Sequence, residues 1–168
     1  VILWSSAFIT SKIIVDNAPP FLSLSIRFGI VTCLFFLFFI CFSKDKYISF
    51  TAFKNASISG LLFHGLYLGG VFFALSKGIS ATLIALIVSL QPILTSFLAK
   101  VYLNETLNKF QWIGVLLGFS GAIIIIISDL VDGLTVVAFF AGIVGLVSSS
   151  LGIIWQKKIG SDLPLAGN

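Results

Sequence analysis

The chain has 168 residues, of which 58% are hydrophobic and only 10% are charged, and its mean hydropathy is +1.16. Soluble domains carry about 25% charged residues, so this composition excludes a soluble enzyme, a nucleic-acid-binding protein and a disordered chain. The formal net charge of +4 therefore does not indicate a nucleic-acid partner, and the lipid bilayer is the expected solvent.

Apolar runs divide the chain into six predicted membrane spans. A helical span needs about 20 apolar residues, and these runs are far longer than the roughly ten alternating residues of a barrel strand. The predicted fold is therefore an all-α polytopic membrane protein with six transmembrane helices. The first span is short and the chain contains no Met, so we expect a front-trimmed fragment. The spans cover residues 1–15, 21–42, 56–76, 79–99, 110–128 and 136–155.

Local signals mark the ends of several spans. The segment Asp16–Pro20 ends the first span, and Lys77-Gly78 predicts a tight turn between the third and fourth spans. Asn108, followed three residues later by Gln111, is typical of a helix N-cap pair that opens the fifth span. Both cysteines fall within the second span, so we interpret them as packing residues rather than a disulfide or metal pair.

The lysines are sorted to one side when the loops are assigned alternately to the two faces of the membrane. The other side holds Lys77 with Asp16, Asp129 and Asp132. Cytoplasmic loops carry an excess of Lys and Arg, so the lysine-rich side is predicted to be the cytoplasmic side of a plasma (inner) membrane. That side holds Lys44, Lys46, Lys54, Lys100, Lys109, Lys157 and Lys158.

A weak internal repeat emerges when the chain is compared with itself at a shift of 145 residues. The shift pairs the end of the first span with the end of the sixth, as in Ser5 with Ser150 and Lys12 with Lys157. It implies a repeat of five spans, and because five is odd the second copy must be inverted. Inverted repeats are a common plan of secondary transporters, which bind substrate near the midplane.

Small and polar residues follow helical stripes. Small residues let helix backbones approach each other, so we interpret the Gly114/Gly118 and Gly142/Gly145 pairs as helix contacts. On spans three and four, larger polar groups share the stripes, and either packing or a cavity explains them. These stripes are Ser57, Gly60, His64, Tyr67 and Ala74 on span three, and Thr82, Ala85, Ser89, Pro92, Ser96 and Ala99 on span four.

His64 is the only histidine and lies about eight residues, or about 12 Å, into the third span. An ionisable group at such depth usually faces a cavity or the bundle interior. His64 is therefore a candidate substrate contact or proton acceptor, and the alternative is a neutral histidine bonded across helices. Tyr67, one turn further on, either shares that cavity or packs with its hydroxyl bonded.

Four further residues are candidates for either a functional or a structural role. Gln91-Pro92 lies near the middle of span four, where proline frees the carbonyl of Val88. This pair either offers ligand groups to a cavity or forms a plain structural kink. Arg27, about six residues inside span two, either snorkels to the outer interface or binds an anionic substrate group. Glu105 precedes span five, where its charge suits the helix N-terminus in a structural role.

Several stretches resemble the drug/metabolite transporter superfamily, EamA type. They are WSSAFITSKI at 4–13, SIRFG at 25–29, the long segment 74–126 and LVSSSLGIIWQKKI at 146–159. The segment 74–126 is the most specific, because the family has a mid-helix Pro, a Glu at the cytoplasmic end and then a Gly-rich span. Those places are filled here by Pro92, Glu105, Gly114, Gly118 and Gly121.

The resemblance implies ten spans in two inverted five-helix repeats. Residues 1–135 would form the first repeat, truncated at its front, and residues 136–168 would start the second. The resemblance also implies alternating access without ATP and export of amino acids, other small metabolites or drugs. The remainder of the second repeat is an expected partner, and a homodimer is possible. By position the family's central cavity would include Trp4, Ser5, His64, Tyr67, Gln91 and Ser149.

Two classes of function remain open. The first is a permease that exports small metabolites, and the second is a membrane scaffold or accessory subunit that does not transport, which the small-residue stripes alone would support. A transporter requires the face of span three that carries His64 to be accessible to water, whereas a scaffold requires that face to be packed against another helix. An intramembrane enzyme is disfavoured because the chain has one His and the spans hold no paired carboxylates or metal-ligand cluster. The sequence has no P-loop, which argues against ATP-driven pumping. No cofactor is expected.

Overall fold

The structure is a computed structural model that describes residues 2–42, 49–103, 108–114, 116–118, 120–121 and 136–160. Within these ranges the chain is helical apart from short turns, and they contain no strand. Among the described residues, four helices are long and apolar enough to cross a membrane, namely Pro20–Phe42, Phe50–Ser76, Ala81–Tyr102 and Val136–Ile159. The prediction of an all-helical, multi-pass membrane protein is confirmed to that extent.

The helices are numbered here in chain order. Helix α5 comprises the described helical residues 109–114, 116–118 and 120–121. The others are α1 (Ile2–Asn17), α2 (Pro20–Phe42), α3 (Phe50–Ser76), α4 (segments Ala81–Ser89 and Gln91–Leu103) and α6 (Val136–Gly160).

A serine cap makes α3 longer than the span predicted from hydropathy. The hydroxyl oxygen of Ser49 accepts a hydrogen bond from the backbone N–H of Ala52 at 3.1 Å. Such a bond satisfies one of the free N–H groups of a helix start, so α3 begins at Phe50 rather than at residue 56. The helix therefore includes Lys54, which the sequence placed in a loop. Hydropathy marks the apolar part of a helix and misses a polar first turn.

The turn between α3 and α4 lies at Lys77 and Gly78, as predicted. Gly78 has a φ of 92°, in the left-handed region that glycine adopts without a Cβ clash. Ser80 then caps α4 by accepting a hydrogen bond from the N–H of Leu83 at 3.0 Å. The chain thus reverses direction within a few residues, and α4 returns beside α3.

The predicted cap of α5 is confirmed. The side-chain oxygen of Gln111 accepts from the N–H of Asn108 at 2.7 Å, and the side-chain oxygen of Asn108 accepts from the N–H of Phe110 at 3.3 Å. This reciprocal pattern satisfies N–H groups at the helix start. Glu105, which was assigned a structural role before this helix, lies outside the described residues.

Helix α6 occupies the centre of the bundle. Half of its membrane-spanning window is buried, compared with 6% for α2. It packs against all of α3 and against both segments of α4. The Gly145 position of α6 adjoins Tyr67 of α3, and Gly152 adjoins Phe63, so α6 is antiparallel to α3. Because α4 reverses direction after the turn at Gly78, α4 and α6 run parallel.

Glycines bring the backbones of α3 and α6 into direct contact. A Cβ atom at Gly70 would lie 2.7 Å from the carbonyl oxygen of Ala141 and 3.2 Å from the nitrogen of Gly145. A Cβ atom at Gly145 would lie 3.2 Å from the carbonyl oxygen of Tyr67. Small residues at such crossings are typical of membrane helices, which associate through close packing rather than through a hydrophobic driving force.

Glycines elsewhere in the stripes differ in their surroundings. A Cβ atom at Gly142 would meet Ile84 of α4 at 2.8 Å, and one at Gly118 of α5 would meet Ile93 of α4 at 2.9 Å. Gly114 has nothing within 4 Å of its Cβ position. Gly118 therefore sets how closely α5 approaches the second segment of α4, whereas Gly114 imposes no such limit among the described atoms.

A side-chain hydrogen bond joins α3 and α6 near one end of the bundle. The amide nitrogen of Gln156 donates to the hydroxyl oxygen of Ser59 at 2.8 Å. Both residues lie close to the lysine-bearing ends of their helices, with Lys54 on α3 and Lys157 on α6. This bond therefore fixes the relative register of the two helices at that end.

Candidate functional site

A cavity of about 950 Å³ lies between α1, α4 and α6. Its volume is at the upper end of the range of about 300–1,000 Å³ that is typical of small-molecule pockets. Phe8 and Ile9 contribute the α1 wall, and Ile153 contributes the α6 wall. The remaining wall belongs to α4 and comprises Ala81, Thr82, Ala85, Leu86, Val88, Ser89, Gln91, Pro92, Thr95 and Ser96.

The small and polar stripe that the sequence shows on span four forms much of this wall. Thr82, Ala85, Ser89, Pro92 and Ser96 all line the cavity, because their spacing of three or four residues puts them on one helix face. Ala99, the last member of the stripe, is buried and lies outside the wall. Of the two explanations left open for this stripe, its geometry favours a cavity over most of its length.

Helix α4 is interrupted in the middle of the cavity wall. Its first segment ends before Leu90, and its second begins at Gln91. Pro92 has no N–H to donate and suits the first turn of a helix, while the N–H groups of Ile93 and Leu94 both donate to the carbonyl oxygen of Leu90 at 3.0 and 3.1 Å. Leu90 itself keeps helical backbone angles, with φ −74° and ψ −5°, so the break is a one-residue irregularity of the kind that proline introduces.

Two polar side chains stand one turn apart on the second segment of α4. Gln91 is only 9% exposed, and the hydroxyl oxygen of Thr95 is buried without a hydrogen-bond partner among the described atoms. A buried polar group left unsatisfied costs about 1–3 kcal/mol, and a ligand or water would offset that cost once a change of the Thr95 rotamer turns its hydroxyl into the cavity. The hydroxyl of Ser89, by contrast, donates to the carbonyl of Leu86 at 2.7 Å.

The described wall of the cavity carries no charged side chain. The charges on α1 that follow Phe8 and Ile9 are Lys12 and Asp16, which form an ion pair with each other and do not line the cavity. Apolar side chains and a few neutral polar groups thus determine what this part of the site can bind.

His64 and Arg27 lie apart from the cavity. Both side chains are exposed, and the ring of His64 faces that of Phe28 on α2, with 5.0 Å between their centroids. His64 and Tyr67 both belong to a π-helical stretch, Leu61–Leu68, within α3. Such stretches are rare and frequently occur at functional sites. The structure therefore does not bring His64 or Arg27 together with Gln91 in this cavity.

Tyr67 and Ser149 lie within the helix contacts. Tyr67 is half-buried and packs against the core, and its carbonyl forms part of the crossing with Gly145. Ser149 is fully buried, and its hydroxyl donates to the carbonyl of Leu146 at 2.9 Å. Neither residue lines the cavity, although Ile153, one turn beyond Ser149, does.

Trp4 and Ser5 lie in α1 one turn before Phe8 and Ile9, the two α1 residues of the cavity wall. The sequence did not single out Phe8, Ile9, Thr95 or Ile153 as site residues. Thr95 had a usable signal, because it is polar and lies four residues after Gln91. The other three are ordinary apolar residues in apolar helices, so no residue type distinguishes them from lipid-facing neighbours.

Comparison with known proteins places the chain among membrane transporters. Residues 1–127 match the EamA-like transporter family. The chain is 27% identical over 169 residues to an uncharacterized transporter encoded in the trpA 3' region of Buchnera aphidicola subsp. Schlechtendalia chinensis, covering 98% of the chain and 54% of that relative. No solved structure shows significant similarity to the chain.

Two relatives from Escherichia coli strain K12 are similarly distant. The chain is 23% identical over 158 residues to the uncharacterized inner membrane transporter YedA, covering 94% of the chain and 51% of the relative. It is 26% identical over 166 residues to a probable amino-acid metabolite efflux pump, covering 95% and 51%. The chain thus spans about half the length of the curated relatives it matches.

Proposed function

The chain belongs to the EamA-like transporter family, and on that premise we propose that it is part of a secondary transporter that exports small metabolites, amino acids or drugs. Export proceeds by alternating access without ATP. The observation that supports this most directly is the cavity of about 950 Å³ between α1, α4 and α6, whose wall includes the stripe of small and polar residues on α4. The relative named as a probable amino-acid metabolite efflux pump agrees with this direction and substrate range.

We propose that the whole transporter has ten spans in two inverted repeats. Residues 1–135 belong to the first repeat and residues 136–168 start the second. The parallel directions of α4 and α6 support an odd number of crossings between them, and the proposal assigns one such crossing to the predicted fifth span, for six spans in this chain. The relatives are about twice as long as the chain, which leaves room for the rest of the second repeat. A homodimer stays a prediction.

The proposed orientation puts the lysine-rich ends in the cytoplasm of a plasma (inner) membrane. The bond between Ser59 and Gln156 supports this arrangement, because it brings the start of α3 and the end of α6 to one side. Lys54, Lys157 and Lys158 flank that bond in sequence. An excess of lysine is expected on the cytoplasmic side.

We propose Gln91 as a substrate contact, because it is buried, polar and lines the cavity. Trp4 and Ser5 are proposed contacts on the α1 side, where they precede the wall residues by one turn. The substrate contacts predicted for His64, Tyr67, Arg27 and Ser149 stay predictions, since these four residues lie away from this cavity.

Labelling of introduced cysteines tests whether water enters the cavity. In the intact transporter, Cys33, Cys41 and every cysteine outside this chain are replaced by serine, and single cysteines are then introduced as Gln91→Cys, His64→Cys and Tyr67→Cys. We expect a water-soluble maleimide to label position 91, because the cavity admits water. Ile87→Cys is the matched control, since Ile87 lies one turn before Gln91 and is 0% exposed.

The same experiment discriminates against a scaffold that does not transport. A scaffold predicts packed helix faces, so positions 91, 64 and 67 would all stay unlabelled from either side of the membrane. That result would overturn the cavity assignment. Labelling at 91 but not at 87 supports transport through this cavity.

His64→Ala is expected to reduce transport by the intact protein about tenfold without preventing membrane insertion. The loss of one hydrogen-bonding group from a substrate or proton path is worth about 0.5–1.5 kcal/mol, and about 1.4 kcal/mol corresponds to a factor of ten. Initial transport rates in proteoliposomes, normalised to inserted protein, provide the measurement. Leu66→Ala removes another exposed side chain from the same π-helical stretch and should transport normally. Normal rates in His64→Ala would remove this residue from the site.

A further inference from the structure

We infer that the cavity selects an uncharged, largely apolar substrate that carries neutral hydrogen-bonding groups, such as amides. This inference rests on the transport function proposed above and narrows its substrate class to neutral metabolites and drugs, which leaves out free amino acids because they are zwitterions. The cavity wall supplies three lines of support, in its charge, its polar groups and its apolar surface.

The first line of support is the absence of charge from the described wall. Moving an ion out of water costs several kcal/mol unless a partner of opposite charge compensates. Lys12, Lys100 and Lys157 each follow a wall residue by one helical turn but do not line the cavity, and Lys12 is paired with Asp16. Among the described residues, a carboxylate or ammonium group in the cavity would therefore find no counter-charge on the wall.

The second line of support is the pairing of Gln91 with Thr95. A glutamine amide offers both donors and an acceptor, and a threonine hydroxyl offers one donor and lone pairs. Gln91 is nine-tenths buried and lines the cavity, and the hydroxyl oxygen of Thr95 is buried without a partner among the described atoms. The two residues lie one turn apart on the same helix. The Gln91 amide, together with the Thr95 hydroxyl once its rotamer turns it into the cavity, suits a ligand that both donates and accepts.

The third line of support is the apolar remainder of the wall. Phe8 and Ile9 from α1, Leu86 and Val88 from α4, and Ile153 from α6 line the cavity around the polar pair. An aliphatic or aromatic body would bury its surface against these side chains. The volume of about 950 Å³ accommodates a molecule as large as a typical drug-sized ligand.

Three compounds that share one side chain and differ in charge test the inference. N-acetyl-L-leucinamide is neutral, N-acetyl-L-leucine is an anion and L-leucinamide is a cation at neutral pH. Binding of each compound to the purified intact transporter is measured by equilibrium dialysis with radiolabel, and transport is measured separately in proteoliposomes. We expect the neutral compound to bind at least tenfold more tightly than either charged one.

Substitutions in the wall connect this preference to the cavity. Gln91→Leu and Thr95→Val should each weaken binding of the neutral compound about three- to tenfold. Gln91→Glu should shift the preference towards L-leucinamide at least tenfold, because it adds a negative charge to the wall. Thr10→Val is the matched control for Thr95→Val, since the hydroxyl of Thr10 donates to the carbonyl of Ser6 within α1 at 2.9 Å and does not line the cavity.

The outcomes separate the substrate class from the transport function. The inference is supported if the transporter binds the neutral compound most tightly and the Gln91 variants change this preference. Tighter binding of a charged compound, no binding of the neutral compound, or unchanged preference in properly folded Gln91 and Thr95 variants overturns it, whether or not the protein transports. Neutral binding with no transport of any compound supports the ligand class and overturns the proposed transport function instead.

Discussion

Gly70→Leu is expected to prevent stable folding of the intact transporter. A Cβ atom at this position would lie 2.7 Å from the carbonyl oxygen of Ala141, closer than real Cβ contacts. The obstacle is backbone on both sides, so a change of rotamer cannot relieve it, and α3 and α6 must separate. Overpacking in a core typically costs about 1–3 kcal/mol, and a backbone clash at the central helix should exceed that range.

The measurement is the yield of monodisperse protein in detergent, together with its midpoint of thermal unfolding. Gly60→Leu provides the matched control, because Gly60 lies in the same helix and has nothing within 4 Å of its Cβ position. We expect Gly60→Leu to behave like the wild type and Gly70→Ala to be intermediate. A wild-type midpoint for Gly70→Leu would contradict the contact between the backbones of α3 and α6.

Ala85→Trp is expected to abolish transport while leaving the fold intact. Ala85 is half-buried and lines the cavity on the first segment of α4. An indole at this position would extend into open volume rather than into the packed side of the helix, so it should occupy the space through which substrate passes. Transport of radiolabelled substrate in proteoliposomes should fall to the level of protein-free vesicles, with little change in the thermal midpoint.

The control for steric bulk is Ala56→Trp, since Ala56 is exposed on α3. This variant should retain both transport and stability. If Ala85→Trp is folded and transports at the wild-type rate, substrate does not pass through this cavity. If it fails to fold, Ser89→Trp offers a second blocking position on the same wall.

Features that depend on short sequence separations could be predicted from the sequence. The cap at Asn108 and the turn at Gly78 involve hydrogen bonds or backbone angles within a few residues, so residue type alone indicates them. The stripe from Thr82 to Ser96 could also be predicted, because helical spacing decides which residues share a face. Depth along a helix follows from counting residues, which is why Gln91 was correctly placed near the middle of its helix.

The direction in which a stripe faces could not be predicted in the same way. His64 and Gln91 both lie within long apolar helices, yet His64 is exposed and Gln91 is 9% exposed. Periodicity fixes the angles between residues on one helix but not which neighbour each face meets. The contact at Gly70 was missed for a related reason, since backbone contact leaves no side-chain pattern beyond a glycine.

The central position of α6 has a consequence for how the protein is made in the cell. Ribosomes synthesise α1 to α4 before α6, so these helices enter the bilayer while the helix around which they pack does not yet exist. Helix α2 has a mean hydropathy of 2.3 and little burial, so it is stable in lipid before α6 is synthesised. The faces of α3 and α4 that later meet α6 must stay unpartnered until residues 136–160 emerge. Assembly is therefore expected to follow insertion as a separate, late step, and nascent chains that stall before residue 136 should be ready substrates for membrane proteases.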